Sequence, residues 1–364
     1  MSRVVYRIDL RQLQENFAVL KRLAGNCRLM PVLKADAYGM GALRIGAALK
    51  SAGAVRFGAA TLDEALELQK LELPVQILGL LPEWEIAETV NAGIVAPVAN
   101  MRTAELLSRE ACRQQKEVRI AVKLDTGMGR AGFMSDKAPE NIEKIVKLPG
   151  LVPDSLFAHF STAAQPDVFF ARMQMERYIQ VYEQLTRAGI LFPNRHHAAG
   201  DAICKLPRSV QEPFNMARPG GTMYGEDFSG LCSQIVELKT VIGDIRELPA
   251  GTSVNYFRTY IAPRPVRVAV LLAGYADGIP LALSNCGNVI IAGKKCPVLG
   301  RVTMDYTVVD VSEVPEAVPG MEAVLLGKRQ DQCITVAQWG KLKNTHGHDI
   351  WCAIGSRSRR EYAD

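Results

Sequence analysis

Up to about residue 225 the chain repeats one rhythm: a short apolar run, a polar or glycine punctuation, then a longer stretch with apolar residues every three to four positions. The short runs fall at 29–33, 55–59, 75–78, 94–97, 118–124, 156–160, 195–198 and 215–218, and helical periodicity covers 43–51, 62–71, 103–114, 141–148 and 169–188. Parallel strands need long crossovers, and the helical stretches supply them, so the rhythm predicts β/α units around a parallel sheet. Eight strands each followed by a helix is the count that closes a (β/α)8 barrel. After about residue 230 the texture changes to short strands at 235–238, 241–245, 266–272, 288–291, 295–298, 306–311 and 322–326, separated by Gly, Pro and Asp turns, with one helix near 334–342. The fold class is therefore α/β: a barrel over residues 1–229 and a mostly β domain over 230–364. The segment 4–8 precedes the barrel's first helix, and residues 1–9 are candidates for pairing with the second domain.

Charge and composition exclude several partners. There are 43 Lys and Arg against 38 Asp and Glu, and the surplus is scattered rather than gathered into a basic run with interleaved aromatics, so nucleic acid is not expected. No uncharged apolar stretch approaches the ~20 residues that span a bilayer; the best candidate, 268–275, is bounded by Arg267 and Asp277. Arg3, Arg7, Asp9 and Arg11 interrupt the place where a secretory h-region would lie, and a cytoplasmic location is the expectation. The eight cysteines stand singly, with no C-x-x-C pair and no histidine spacing suited to zinc, so no metal is expected.

In a (β/α)8 barrel the chemistry sits at the C-terminal ends of the strands. The first predicted strand ends at Lys34 and runs into Ala-Asp36-Ala-Tyr38-Gly39; the fifth ends Lys123-Leu-Asp125-Thr126-Gly127-Met-Gly129-Arg130; the sixth ends near His159; the eighth ends Arg218-Pro219-Gly220-Gly221. A lysine at a barrel mouth loses its proton readily when desolvated and then condenses with an aldehyde. Paired glycines let backbone N–H groups approach a phosphate. Each feature also has a plain structural explanation: a snorkelling lysine, an ion-pair network of Lys123, Asp125 and Arg130, a satisfied interior histidine, a simple turn.

Together the segments resemble the alanine racemase family of pyridoxal phosphate enzymes over nearly the whole chain. V-L-K-A-D-A-Y-G-M-G at 32–41 matches the family's opening except that Met40 replaces the usual His. D-T-G-M-G-R at 125–130, H-F-S-T at 159–162, R-P-G-G-T-M-Y-G at 218–225, G-Y-A-D-G at 274–278 and G-R-V-T-M-D at 300–305 follow in family order.

The resemblance implies a racemase that interconverts L- and D-alanine with two bases and supplies D-alanine for peptidoglycan. Lys34 would hold the cofactor covalently, yield it to the substrate amine and then act as one base at Cα. Tyr256, in V-N-Y-F-R-T-Y, would be the other, reaching the barrel of a second subunit in a homodimer with shared active sites; Phe257 stands where Gly is usual. His159 and Arg218 would supply the positive charge that a phenol needs to act as a base, and Arg218 would face the pyridine nitrogen and keep it unprotonated. Arg130 would serve the cofactor's phenolic oxygen and the substrate carboxylate, oriented by Lys123 if that lysine is carbamylated as in many relatives. Tyr38, Gly220 and Gly221 would hold the phosphate. There the usual H-x-A-N-S/T reads His197-Ala-Ala-Gly200-Asp201, which leaves Gly200 only backbone donors and requires Asp201 to turn away or the loop to move. Ser356 stands where relatives often carry a phosphate-binding tyrosine, and Tyr275, Arg301, Met304 and Asp305 would form the entryway from the partner subunit, Met304 offering its backbone to the substrate carboxylate. Three alternatives stand beside this one. A barrel-type amino-acid decarboxylase is opposed by the lack of an H-x-G-S-G segment, and a non-catalytic carrier by residues 230–364. A serine or broad-specificity racemase of the same family is not separated by the sequence.

Overall fold

The computed structural model describes residues 2–226 and 230–364. The chain forms two compact units, one made of Leu13–Ala37 and Gly41–Ser233, the other of the N-terminal residues through Gln12, Tyr38–Met40 and Gln234–Asp364.

After β1 (Val4–Asp9), which belongs to the second unit, α1 (Leu10–Ala24) leads to the barrel. Its strands are β2 (Arg28–Leu29), β3 (Phe57–Ala59), β4 (Val75–Ile77), β5 (Ala96–Val98), β6 (Val118–Asp125), β8 (Leu151–Phe157), β9 (Asn194–His196) and β10 (Met216–Ala217), with β7 (Phe133–Met134) a short addition beside β6. Parallel ladders join β10 to β2, β3 to β4, and β5 through β6 and β8 to β9. Parallel bridges Val32–Gly58, Gln76–Val95 and Ala199–Arg218 close these pieces into one ring. β2, β4, β8, β9 and β10 stop before the C-terminal ends of their apolar runs, whereas β3 ends with its run and β5 and β6 extend one residue past theirs. The sixth barrel strand begins five residues before its predicted start of 156, because Pro153 and Asp154 break the apolar reading of Leu151–Phe157.

The connecting helices are α2 (Lys34–Gly39), α3 (Ala42–Ser51), α4 (Leu62–Gln69), α5 (Ile86–Ala92), α6 (Met101–Gln114), α7 (Ala138–Ile145), α8 (Phe169–Arg187) and α9 (Gly200–Lys205). Their buried stripes have helical spacing, as in Ala104, Leu107, Ser108 and Ala111 of α6, whose start is capped by Asn100 accepting the Thr103 N–H at 2.9 Å. Toward the N-terminal side of the strands the interior holds a polar plug: Arg56 donates to both Asp154 oxygens at 2.6 and 3.1 Å, and Gln76, Ser155 and Asn194 complete the network. Every charge there is paired, as burial demands.

The second unit is built on β11 (Val236–Leu248), a single strand where the sequence predicts two. The apparent break is two irregularities, at Leu238/Lys239 and Ile242/Asp244, which shift register without ending the ladder. The remaining elements are β12 (Ser253–Val254), β13 (Tyr260–Ile261), β14 (Val266–Leu271), β15 (Asn288–Ile291), β16 (Lys294–Pro297), β17 (Thr307–Asp310), β18 (Glu322–Arg329), β19 (Gln332–Ile334), α10 (Val336–Lys343), α11 (Gly347–Ala353) and β20 (Arg359–Ala363). β1 lies between β11, antiparallel, and β20, parallel. Val254, Ala262, Val266, Val268, Leu299 and Val308 form a core under this sheet.

Candidate active site

The barrel unit gathers basic side chains at the strand ends. His159 is close enough to Arg218, Arg130, Lys123 and Lys34 to feel the charge of all four. Burial first, and then the repulsion of Arg130 and Arg218, lowers the Lys123 pKa to about 8. Lys123 and Arg218 both lie over the Phe157 ring, 5.5 and 5.7 Å from its centroid. Burial lowers Arg218 to about 10, so it stays charged at neutral pH. Its guanidinium is fixed by the carbonyls of Ala158, His196 and His197 and by Nδ1 of His196, with His159 Nδ1 3.4 Å away.

Two expectations change here. Asp125 forms no ion pair with Lys123 or Arg130: its carboxylate instead accepts the N–H groups of Gly127, Met128, Gly129 and Arg130 at 2.8–3.1 Å and shapes the turn after β6. Among the described residues Lys123, Arg130 and Arg218 have no carboxylate in ion-pair range. His159, for its part, does not share in supplying positive charge, because burial and then Arg218 push its pKa down to about 3. The imidazole is neutral and the charge rests on Arg218.

His196 escaped the sequence reading, which looked to His197. The period-two alternation of β9 puts His196 on the same face as Asn194, which joins the interior plug, whereas the His197 ring stacks on Phe160 at 3.6 Å and on Tyr178 of α8 at 5.5 Å. Glu64 was missed too, although Thr61-x-x-Glu64 is a helix-start signature. Its carboxylate accepts the N–H of Ala35 and that of Ala60, each at 2.7 Å. Ala35 opens an unusual turn: Ala35, Asp36, Ala37 and Tyr38 have φ of 51, 53, 52 and 57°, four left-handed residues in succession directly after Lys34. Such a backbone costs about 1–2 kcal/mol per non-glycine residue. The turn is held by Glu64, by Ala37 N–H to Leu33 O, and by Asp36, whose carbonyl and carboxylate accept the N–H groups of Gly41 and Ala42.

Gly200 and Gly220–Gly221 form a second feature of the barrel unit. Among the described residues the N–H groups of Ala202, Gly220, Gly221 and Thr222 donate to no protein acceptor, whereas that of Gly200 faces the Arg218 carbonyl across the Ala199–Arg218 bridge. A Cβ on Gly200 would lie 2.1 Å from Thr222 Oγ1, so only glycine fits. Asp201 follows in the first turn of α9.

The second unit carries Tyr38, Tyr256, Tyr275, Arg301, Met304, Asp305 and Ser356. The Tyr38 ring packs 5.1 Å from His348 and edge-on to Trp351. Tyr256 is 69 % exposed and Phe257 80 %. The turn around them is left-handed at Asn255, Phe257 and Arg258, with Phe257 at φ 64°, a conformation in which glycine is at ease. Asn255 Nδ2 donates to the Arg301 carbonyl at 2.8 Å, and the Arg301 guanidinium covers the Phe257 ring. Tyr275 and Ala276 donate to the carbonyls of Thr303 and Met304, and a Cβ on Gly274 would strike Thr303 O at 2.2 Å, so the two loops are pressed together. The Met304 N–H has no acceptor among the described residues. Arg357, next to the exposed Ser356, pairs with Asp305 at 2.9 Å and Asp277 at 3.5 Å.

A parallel barrel with a lysine and unpaired cations at its strand ends, joined to a β domain with an exposed tyrosine turn, matches known proteins throughout its length. The family profile described as alanine racemase, N-terminal domain, matches residues 8–227, and that described as alanine racemase, C-terminal domain, matches 235–362. Alanine racemase 2 of Caldanaerobacter subterraneus subsp. tengcongensis is 36% identical, covering 98% of this chain and 93% of its own. The alanine racemase of D-cycloserine-producing Streptomyces lavendulae superposes with a TM-score of 0.93 at 29% identity, covering 100% of this chain and 98% of its own. That of Bartonella henselae, solved with covalently bound pyridoxal phosphate, gives 0.90 at 25% identity over all of both chains. The chain belongs to the alanine racemase family. These relatives favour alanine over the serine or broad-specificity alternative.

Proposed function

We propose that this protein is a pyridoxal phosphate-dependent racemase that interconverts L- and D-alanine, working in the cytoplasm as a homodimer and supplying D-alanine for peptidoglycan. The observation that carries the reading is the cluster of Lys123, Arg130 and Arg218 without carboxylate partners, with Lys34 near His159 and four unused N–H groups in the same unit. Buried positive charge and free donors call for an anionic ligand, and this donor set fits a phosphorylated pyridoxal together with a substrate carboxylate.

Lys34 would hold the cofactor through Nζ. Gly220 and Gly221 would hold its phosphate through their N–H groups, beside Gly200; Tyr38 and Ser356 are the other residues expected to serve it. Arg218 would serve the cofactor's ring nitrogen as a hydrogen-bond donor, since a guanidinium donates without giving up its proton. The bound group supplies the conjugated system that draws electrons from the Cα–H bond. Arg130 and the N–H of the partner subunit's Met304 would orient the amino acid's carboxylate. Lys34 Nζ would take or return the Cα proton on one face, and the partner subunit's Tyr256 would return or take it on the other. The charged Arg218, through neutral His159, eases loss of the phenolic proton. Tyr275, Arg301, Met304 and Asp305 line the approach, which suits a methyl side chain.

Lys123, half-neutral near pH 8, is placed to react with carbon dioxide: Nζ bonds to carbon, one proton leaves, and the resulting carbamate would turn a repulsive neighbour of Arg130 into an attractive one.

The test combines activity and chemistry. Protein loaded with pyridoxal phosphate should erase the circular dichroism of L-alanine, and borohydride should fix the cofactor on the peptide containing Lys34. A label elsewhere, or no racemisation by loaded protein, would overturn the reading.

A further inference from the structure

The loop at His197–Asp201 lacks the amide and hydroxyl side chains usual in the family, which leaves the phosphate end of the site short of side-chain donors. What fills the space above Gly200 is Thr222. A Cβ at position 200 would stand 2.1 Å from Thr222 Oγ1, 2.5 Å from its Cβ and 3.4 Å from its Cγ2, so the threonine occupies the volume into which a side chain at 200 would project. Thr222 is 3 % exposed, yet its hydroxyl makes no hydrogen bond among the described residues and is not among the sealed orphan polar atoms. The little surface it keeps therefore includes that hydroxyl. Its neighbours are the unused N–H groups of Gly221 and of Thr222 itself.

A hydroxyl with no protein partner and a small accessible surface keeps its donor and acceptor available to a ligand. The residue follows Gly220 and Gly221 in a turn whose first N–H groups are free, and a side chain in such a turn leans toward its N-terminal end. We infer that Thr222 is a phosphate ligand of this protein, its hydroxyl replacing the side-chain donors lost at Gly200 and Asp201, and that Gly200 is small because Thr222 claims its space. This rests on the reading that the barrel unit binds pyridoxal phosphate.

Equilibrium binding to the apoprotein, followed by absorbance and protein fluorescence, separates the two claims. Wild type should bind pyridoxal phosphate far more tightly than pyridoxal, which lacks the phosphate; equal affinities would overturn the phosphate subsite and with it the functional reading. Given that preference, Thr222→Val and Thr222→Ala should weaken pyridoxal phosphate about tenfold, the weight of one hydrogen bond to a charged group, and leave pyridoxal within twofold. Thr222→Ser should stay near wild type. Gly200→Ala should weaken the phosphorylated ligand in the Thr222 background and not further in a Thr222→Gly background, where the colliding Cβ, Oγ1 and Cγ2 are all gone. Unchanged affinity in Thr222→Ala, or equal loss for both ligands, would overturn the role of Thr222.

Discussion

The imidazoles of His159, His196 and His197 are all held neutral in the barrel unit, chiefly by burial and then by Arg218, with pKa values far below the ordinary 6.5. An unfolded chain protonates these groups near pH 6.5 while the folded one resists, so the stability they confer is complete above about pH 6.5 and drains away as the pH falls toward the folded values. The melting temperature should thus drop steeply between pH 6.5 and 4.5. His197→Phe, which keeps a ring against Phe160 and Tyr178, should make that drop shallower by about one proton's worth, measured by calorimetry across that range. Lys123 points the same way at higher pH: its folded pKa near 8 lies below the unfolded value of ~10.4, so stability should rise between pH 8 and 10, and Lys123→Met should flatten the rise. At this scale the sequence exposed the reactive types but not their surroundings. Lys34, Lys123 and Arg218 stood out as polar residues ending apolar runs, whereas His159's neutrality and His196's grip on Arg218 depend on burial and strand facing, which a run of letters does not display. The phenylalanine at 257 was visible as a departure; that it sits at φ 64° was not.

Among the elements, the turn that follows Lys34 governs where its Nζ can go. Four left-handed residues in a row are stable only because their surroundings hold them, and Glu64 is the one side chain that ties the Ala35 N–H to the neighbouring strand end at Ala60. Glu64→Ala is expected to lower the melting temperature by several degrees and to speed loss of bound pyridoxal phosphate, while Glu64→Gln, with one carbonyl oxygen left to accept, should fall between; stopped-flow absorbance of cofactor release measures the second effect. Ala35→Gly should stabilise by roughly 0.5 kcal/mol in urea unfolding, the reverse of its effect in a right-handed helix, since φ is 51° there. Strand and helix periods made most of the barrel readable. The turn was not, because K-A-D-A-Y-G carries no glycine where left-handed φ begins, and nothing local announces it. In the second unit 241–245 was read as separate from 235–238 because residues such as Lys239 and Gly243 interrupt the apolar alternation; both stretches lie in β11.

For the molecule as a whole, the residues named for catalysis divide between the two units, with Lys34 in one and Tyr256, largely exposed, in the other. If the site is shared across a dimer, mixing inactive Lys34→Ala with inactive Tyr256→Phe should restore part of the racemase rate, since one site of each mixed pair keeps both bases; no recovery after confirmed subunit exchange would rule the sharing out. The chain's path also bears on how it is made. β1, at Val4–Asp9, is an inner strand whose neighbours are β11, starting at Val236, and β20, starting at Arg359. On a ribosome adding about 5–20 residues per second, that strand waits on the order of 10–50 s for its first partner while the barrel's own residues are already emerging. Its Val4, Tyr6 and Ile8, buried in the finished sheet, are exposed all that time. Nascent chains stalled before Val236 should therefore aggregate or recruit chaperones through this segment, and a circular permutant that moves residues 2–9 behind Asp364 would shorten the delay between β20 and the strand it flanks.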